Sequence, residues 1–479
     1  MRPLVWFRAD LRVRDNTALH HACLRADRGV VAAFTICPDQ WLHEHDWADC
    51  KVEFLLRNLG SLRSSLEALR IPLKLIQTPR FESVPERLLA LARETGCDAL
   101  WFNREYELNE KCRDDATRVA FERAGLSVHP YHDQVVLPPG SVRTNEDRPY
   151  TVYTPFRKKW AAVFAELNSD GQPLVLPAPA VQEDIAIESD PIPGSMDGFD
   201  LSLGRPDLWE AGEPHGLDRL RQFSASRIGS YKDRRDTPSV NGTSTLSPYL
   251  ALGVVSPRQC LTAAMGTNRG RVDSGDAGAV GWIQELIWRE FYKHLVEAFP
   301  RLCMGTNFRR EYDAIEWNED ESQFEAWCEG RTGYPIVDAA MRQLNQTGWM
   351  HNRLRMITAM FLTKDLLIDW RKGERYFMRR LIDGDYASNN GGWQWSASTG
   401  TDAQPYFRIF NPTTQGERYD PDGDFIRRFV PELSELTGKA IHNPSEAGLF
   451  SGLDYPPPIV NHAQARDRTL TEFKRVRGA

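Results

Sequence analysis

The run LVWFRADLRVRDN, Leu4 to Asn16, passes from four apolar residues straight into charged ones. Four apolar residues bounded in this way suit a buried strand and are too few for a helix. Further short β-like runs lie at Val30–Ile36, Leu73–Gln77, Ala99–Phe102 and Ser127–Tyr131, and helical patterns such as Val52–Leu69 and Val84–Glu94 fall between them. Short strands alternating with amphipathic helices predict an α/β fold over residues 1–135, a doubly wound layer on a parallel sheet. No GxGxxG follows the first run, so a dinucleotide is not expected on this sheet in the Rossmann manner. The N-terminus lacks the apolar stretch of a signal peptide, and no window of eighteen apolar residues exists. Together these predict a cytoplasmic protein without a membrane partner.

From Gly171 to Pro214 the chain turns acidic and proline-rich (Pro173, Pro177, Pro179, Pro191, Pro193, Pro206) and loses periodicity, so residues 136–213 are read as an interdomain linker. Beyond it, amphipathic patterns at Gly281–Phe299, Tyr334–Gln346, Arg353–Asp369 and Glu374–Ile382 predict an all-α domain over residues 214–479. A chain of 479 residues has room for these two domains, and its 41% hydrophobic and 26% charged content fits a globular protein. The eight cysteines form no CxxC pair and have no histidine spacing for zinc, so they are expected to be reduced, packed thiols and not metal ligands. A net charge of −7 argues against nonspecific coating of nucleic acid, yet permits a local basic groove.

The densest chemistry lies in IDGDYASNNGGWQW, Ile382 to Trp395. Asp383, Asp385, Asn389 and Asn390 so close together do not suit a buried helix, and Gly391 and Gly392 would destabilise one. The glycines instead allow close backbone approach to something flat and bulky. Carboxylates and amides can hydrogen-bond the edge of a heteroaromatic cofactor, while Trp393 and Trp395 offer ring faces for stacking or electron exchange.

Three further segments carry candidate chemistry. In the helix from Gly281, Ile283, Leu286 and Ile287 make a buried stripe, while Glu285, Trp288, Arg289 and Tyr292 gather on the opposite side; Glu290 and His294 fall near the stripe and make the wheel imperfect. In NGTSTLSPYLALG, from Asn241, the hydroxyls of Thr243, Ser244 and Ser247 cluster at a helix start, where they could meet a phosphate or simply cap the helix. GWMHNRLRM, Gly348 to Met356, adds Asn352, Arg353 and Arg355 beside Met356.

ELIWREFY, GYPIVDAAMRQL, GWMHNRLRM and DGDYASNNGGWQW occur in that order, between VWFRADLRVRDN at Val5 and YFRIFNPTTQGERYD at Tyr406. With these motifs the chain resembles the photolyase/cryptochrome family, most closely the bacterial class I cyclobutane pyrimidine dimer photolyases. The resemblance implies an antenna chromophore on the α/β domain and FAD in the helical domain. Tyr231, Thr243, Ser244, Thr245, Leu246 and Ser247 would hold the phosphates and ribityl chain, with Trp282 and Arg289 flanking them. Arg355 would pair with Asp383, Gly384 and Asp385 would meet the flavin ring edge, and Asn389 would face N5. Many relatives carry a basic residue where this chain has Thr245, so phosphate neutralisation is expected to rest more on Arg289.

The implied activity is light-driven DNA repair, in which reduced FAD passes an electron to a pyrimidine dimer flipped out of the duplex. Trp288 and Trp395 would stack on the flipped bases, Met356 would line the pocket, and Glu285 would hydrogen-bond the dimer. Arg235, Tyr292, Asn352, Arg353, Arg408 and Gln415 would complete the DNA contacts, with Lys158 and Lys159 near phosphates. Trp393, Trp370 and Trp317 match the family's electron relay. The expected antenna is 5,10-methenyltetrahydrofolate on Asn109 and Glu110. His43 and His45 do not align cleanly with the usual histidine there, and Met304 stands where a lysine is expected. The resemblance further implies a monomer with no metal and no obligate protein partner. A cryptochrome photoreceptor without repair activity is the alternative. Against it stand Glu285, Trp288, Met356 and Trp395, and the lack of a long tail of the kind signalling photoreceptors use.

Overall fold

The computed structural model describes residues 1–169, 171–445 and 453–478. Asp170 of the expected linker, and residues 446–452 and Ala479 of the expected helical domain, lie outside the described residues. By its internal contacts the chain divides into two compact units. The first takes residues 1–229, 244–300 and 382–385, and the second takes 230–243, 301–381 and 386–479.

In the first unit five parallel strands form a sheet in the order β3-β2-β1-β4-β5: β1 Pro3–Phe7, β2 Val31–Ile36, β3 Leu73–Gln77, β4 Ala99–Asn103 and β5 Ser127–Tyr131. Every residue of β1, β2 and β4 is buried, as parallel strands covered by helices on both faces require, and this is why they read as unbroken apolar runs. The chain's own polar groups fill the carboxyl ends of β1 and β4. Asn103 Nδ2 donates to Asp10 Oδ2 (2.6 Å) and Asn16 Oδ1 (2.9 Å), and the Arg8 guanidinium lies over the Trp6 and Phe102 rings.

The expected linker is not uniformly irregular, because it contains the helix Tyr153–Leu167. That helix forms because Tyr153, Phe156, Trp160 and Phe164 share one buried face, and Trp160 Nε1 donates to Glu290 Oε1 at 2.6 Å. From Gly171 to Gly212 the described chain carries little beyond the short 3-10 turn Leu201–Leu203. The helix expected from Gly281 runs over Ala277–Ala298, capped by the Asp276 carboxylate on the amide of Ala279. Ile283, Leu286 and Ile287 are buried as expected, and Glu290, Lys293 and His294 share their face.

The second unit is helical and departs from the sequence reading in two places. The pattern Arg353–Asp369 is not one helix: Asn352–Met360 is α-helical, Phe361–Asp365 widens into a π-turn, and the chain then breaks, with Leu367 at φ 54°. Groups far along the chain hold the break. Lys364 Nζ donates to Ala397 O (3.0 Å), His462 Nδ1 meets Asp365 Oδ1 (2.6 Å), and Thr469 Oγ1 donates to Lys364 O (2.5 Å). Asp369 then caps a new helix, Trp370–Met378, which starts a turn before the expected Glu374.

The second departure concerns Tyr386–Ala397, which is an α-helix despite Gly391 and Gly392. Its polar side chains are satisfied within the core. Asn390 Nδ2 donates to Glu374 Oε1 (2.9 Å), Gln394 Nε2 to Asn390 Oδ1 (2.9 Å), and the amide of Phe308 to Gln394 Oε1 (2.8 Å). Trp393 packs edge-on to Phe377 (centroids 5.0 Å apart) and Trp327 (6.0 Å). A Cβ on Gly373 would run into the Trp393 ring, so that helix must carry glycine to let the indole in. Tertiary packing thus overrides the weak local propensity.

Candidate active site

In the first unit the segment Asp383–Asp385 is tied to two buried lysines. Lys51 Nζ donates to Gly384 O at 2.7 Å and lies 3.8 Å from the Trp47 ring centre. Lys293 Nζ sits 2.7 Å from both Asp385 Oδ2 and Glu107 Oε1. Burial lowers the Lys51 ammonium to about 8. For Lys293, burial also acts downward, but the two carboxylates outweigh it and hold the ammonium above the usual lysine range. Neither lysine stood out in the sequence. The only signal was a charged residue at 293 on the same face as Leu286 and Glu290.

The hydroxyl segment starts a helix, Ser247–Ala251, of a single turn. Ser244 and Thr245 are half-buried, Leu246 is buried and Ser247 is exposed. Thr245 adopts a left-handed backbone, φ 51°, and its Oγ1 accepts from Arg219 Nη1 at 2.7 Å. The cation at this segment is therefore Arg219. The guanidinium of Arg289, expected to carry more of that charge, donates to Gln134 O at 2.6 Å. Trp282 is buried 5.0 Å from Phe223.

On the other face of helix Ala277–Ala298, Glu285, Trp288, Arg289 and Tyr292 are all half-buried. Trp288 stacks on Tyr153, centroids 3.6 Å apart at 10°, and lies 5.7 Å from Tyr292. One indole face is thereby fixed by the chain itself. Lys158 is exposed and Lys159 half-buried on the Tyr153 helix.

A second cluster in this unit joins Asn109 and Glu110 to His45, which the sequence reading had not aligned. His45 Nε2 lies 3.4 Å from Asn109 Nδ2 and 3.5 Å from Glu110 Oε1. Burial lowers His45 to about 3. Burial, with Glu107 and Glu105 nearby, raises Glu110 to about 8. At neutral pH the contact is therefore one between neutral groups and not an ion pair. Met304, by contrast, belongs to the second unit and is exposed.

The second unit holds the rest. Tyr231 is buried, with Arg235 5.8 Å over its ring; Thr243 and Arg355 are half-buried, and Arg355 Nε donates to Met350 O at 2.9 Å. Asn389 Nδ2 donates to Glu374 O at 3.0 Å. Arg353 pairs with Asp236 (2.8 Å), lies 4.5 Å over the Tyr419 ring and reaches Met356 Sδ at 3.7 Å, so it is bound into the fold more than a solvated phosphate ligand would be. Asn352 and Arg408 are exposed; Met356, Trp395 and Gln415 are half-buried. Trp370 and Trp393 are buried in one core cluster, and Trp317, half-buried, packs against it. Burial thus falls from two enclosed indoles to one that reaches solvent, the order an inside-to-surface relay needs.

The donor set suits FAD: hydroxyls and guanidinium groups for phosphates, carboxylates and an amide for the edge of an isoalloxazine ring. The comparisons with known proteins agree. The family model described as DNA photolyase matches residues 3–180, and that described as the FAD binding domain of DNA photolyase matches residues 282–475. The deoxyribodipyrimidine photo-lyase of Escherichia coli is 46% identical over 481 residues, covering 99% of this chain and 98% of the relative. Among solved structures, the class III photolyase of Agrobacterium tumefaciens matches with a TM-score of 0.87 and 37% identity, over 100% of this chain and 98% of that one. A cryptochrome of Synechocystis matches at 0.82 and 29%, over 98% and 99%. The chain belongs to the DNA photolyase family.

Proposed function

We propose that this protein repairs cyclobutane pyrimidine dimers in DNA with light, as a deoxyribodipyrimidine photo-lyase. The observation that carries the reading is Glu285 and Trp288 standing together on helix Ala277–Ala298, turned away from the buried stripe of Ile283, Leu286 and Ile287, in a chain with photo-lyase relatives along its whole length. FAD bound in its reduced form would supply the photoexcited electron that opens the dimer's ring, and the electron's return would leave no net oxidation.

The chain's own residues do the rest. Tyr231, Thr243, Ser244, Thr245, Leu246, Ser247, Trp282 and Arg289 would hold the phosphate and ribityl part of FAD, with Arg219 as the cation beside Thr245; Arg355, Asp383, Gly384, Asp385 and Asn389 would meet its ring. With Asn389 Nδ2 committed to the Glu374 carbonyl, the oxygen of that amide is left to accept a hydrogen bond, which suits an N5 that carries hydrogen. Glu285 hydrogen-bonds the flipped dimer while it carries extra charge. Trp288, preset by Tyr153, stacks on the dimer with Trp395, and Met356 lines the pocket. Arg235, Tyr292, Asn352, Arg353, Arg408 and Gln415 bind the flanking strand. Trp393, Trp370 and Trp317 would relay an electron from an external reductant to bound flavin that has become oxidised. His45, Asn109 and Glu110 hold the antenna, 5,10-methenyltetrahydrofolate, whose pterin amide group suits neutral donors and acceptors.

The reading includes a cytoplasmic monomer with no obligate protein partner; among the described residues no helix is long and apolar enough to cross a membrane. The test is to reduce the FAD-loaded protein chemically and count dimers in an irradiated oligonucleotide, in light and in darkness. Loss in light alone supports repair. Dimers unchanged in light would place the chain with the cryptochromes.

A further inference from the structure

Between the residues read as meeting the flavin edge and those read as holding the antenna, the first unit buries two ammonium groups with no assigned task. Lys293 Nζ is 2.7 Å from Asp385 Oδ2 and 2.7 Å from Glu107 Oε1, and its side chain is 4% exposed. Lys51, equally buried, holds the neighbouring carbonyl of Gly384 at 2.7 Å and has no carboxylate within ion-pair distance among the described residues. The three elements involved are distant in sequence: helix Asp49–Ala68, helix Ala277–Ala298, and Glu107 immediately before helix Leu108–Arg123. Two adjacent residues, 384 and 385, are thus each held by a buried lysine, one by its carbonyl and the next by its carboxylate.

The chemistry of this arrangement is specific. A carboxylate that shares a buried cation with a second carboxylate keeps its charge and a fixed direction. Without the cation, Asp385 and Glu107 would be half-buried like charges with nothing between them, and one would rotate away or take up a proton. The geometry points to Lys293 as a positioning residue for FAD, with Lys51 as its companion: Lys293 fixes the Asp385 carboxylate toward the flavin edge, and Lys51 fixes the Gly384 backbone. This rests on the reading of Asp385 as a flavin-edge residue. Loss of the Lys293 ammonium would leave the Asp385 and Glu107 charges uncompensated beside a cofactor that is anionic when reduced, so the intact cluster favours the reduced form.

A double-mutant cycle tests the assignment, with FAD affinity and the midpoint potential of bound FAD as readouts and the melting temperature of each apoprotein as a check on folding. Lys293→Met should weaken FAD binding by on the order of tenfold and make the bound flavin harder to reduce, while Lys293→Arg should restore both. Asp385→Asn should also weaken binding, and adding Lys293→Met to it should cost little more, because the lysine acts through Asp385. Strict additivity of the two changes, or Lys293→Met with unaltered affinity and potential, overturns the proposal. If Lys293→Met does not fold, Lys51→Met is measured in its place, with weaker FAD binding expected and unchanged affinity counting against the clamp. Failure of the underlying reading looks different: Asp385→Asn alone would then leave FAD affinity untouched.

Discussion

The indole N–H of Trp370 donates to Asn307 Oδ1 over 2.9 Å, and both residues are fully buried. Asn307 Nδ2 in turn donates to Asp313 Oδ1 at 2.7 Å. An amide oxygen can accept that hydrogen bond but is far too weak a base to take the proton when the indole gives up an electron. The charge on Trp370 is then free to move on by electron transfer, which is what the middle member of a relay must permit.

Trp370→Phe should therefore stop photoreduction of oxidised FAD while leaving repair intact, since repair begins from flavin already reduced. Removing the donor leaves Asn307 Oδ1 buried and unpaired, so a loss of about 1–3 kcal/mol of stability is also expected. The check is photoreduction with an external reductant, beside dimer repair by chemically reduced protein. Normal photoreduction would take Trp370 out of the relay.

Glu285→Ala should keep FAD bound and lower the number of dimers split per absorbed photon, because the hydrogen bond removed is one to the dimer. A quantum yield equal to that of the parent protein would remove Glu285 from the reaction.

Trp288→Ala should weaken binding of dimer-containing DNA by about 1–3 kcal/mol, the value of one base stacked on an aromatic ring. Tyr153 loses its stacking partner as well, so the melting temperature should be followed in parallel. Unchanged lesion affinity would leave Trp288 with packing alone.

Arg408→Ala should weaken damaged and undamaged duplex alike and reduce the salt dependence of binding by about 0.9 for each phosphate charge the arginine had neutralised. Arg353→Ala should behave differently from a bare phosphate ligand, since it also releases Asp236 and uncovers Tyr419. A drop in stability from Arg408→Ala, with the salt slope intact, would contradict this division of labour.

Folate binding should fall as the pH rises past about 8. Glu110, with an ordinary value of 4.5, is raised to about 8 by burial and by Glu107 and Glu105. Below that pH it is protonated and can donate; above it, it is charged. The same shift fixes a stability window. Its contribution is fully present below 4.5, declines as pH rises because the folded chain keeps a proton that the unfolded chain releases, and is gone above about 8. Glu110→Gln should flatten both profiles; an undiminished fall in antenna absorbance above pH 8 in that variant would assign the effect to another group.

The sheet was legible in the sequence because the mainly apolar runs of β1, β2 and β4 are too short for helices, and the β-like runs of β3 and β5 alternate with helical patterns; β1 to β5 lie within a residue of those runs. The stripe Ile283, Leu286 and Ile287 was legible for the same reason at helical spacing. What escaped was set by long-range contacts. Lys51 meets Gly384 across 333 positions, Arg219 meets Thr245 across 26, and the break after Asp365 is held by His462 and Thr469. The helix Tyr386–Ala397 escaped because its amides are satisfied by Glu374 on another helix, and the room for its Trp393 ring is made by Gly373 on that other helix.

If reduced FAD bound to this chain splits pyrimidine dimers when it absorbs light, the wavelengths that drive repair must be those the flavin absorbs. The most direct measurement is the action spectrum of dimer loss from a dimer-containing oligonucleotide, taken with chemically reduced protein free of folate. Repair should follow the absorption of the reduced flavin wavelength by wavelength and be absent in the dark. Dimers that persist at every wavelength, with reduced FAD and DNA both bound, would contradict it.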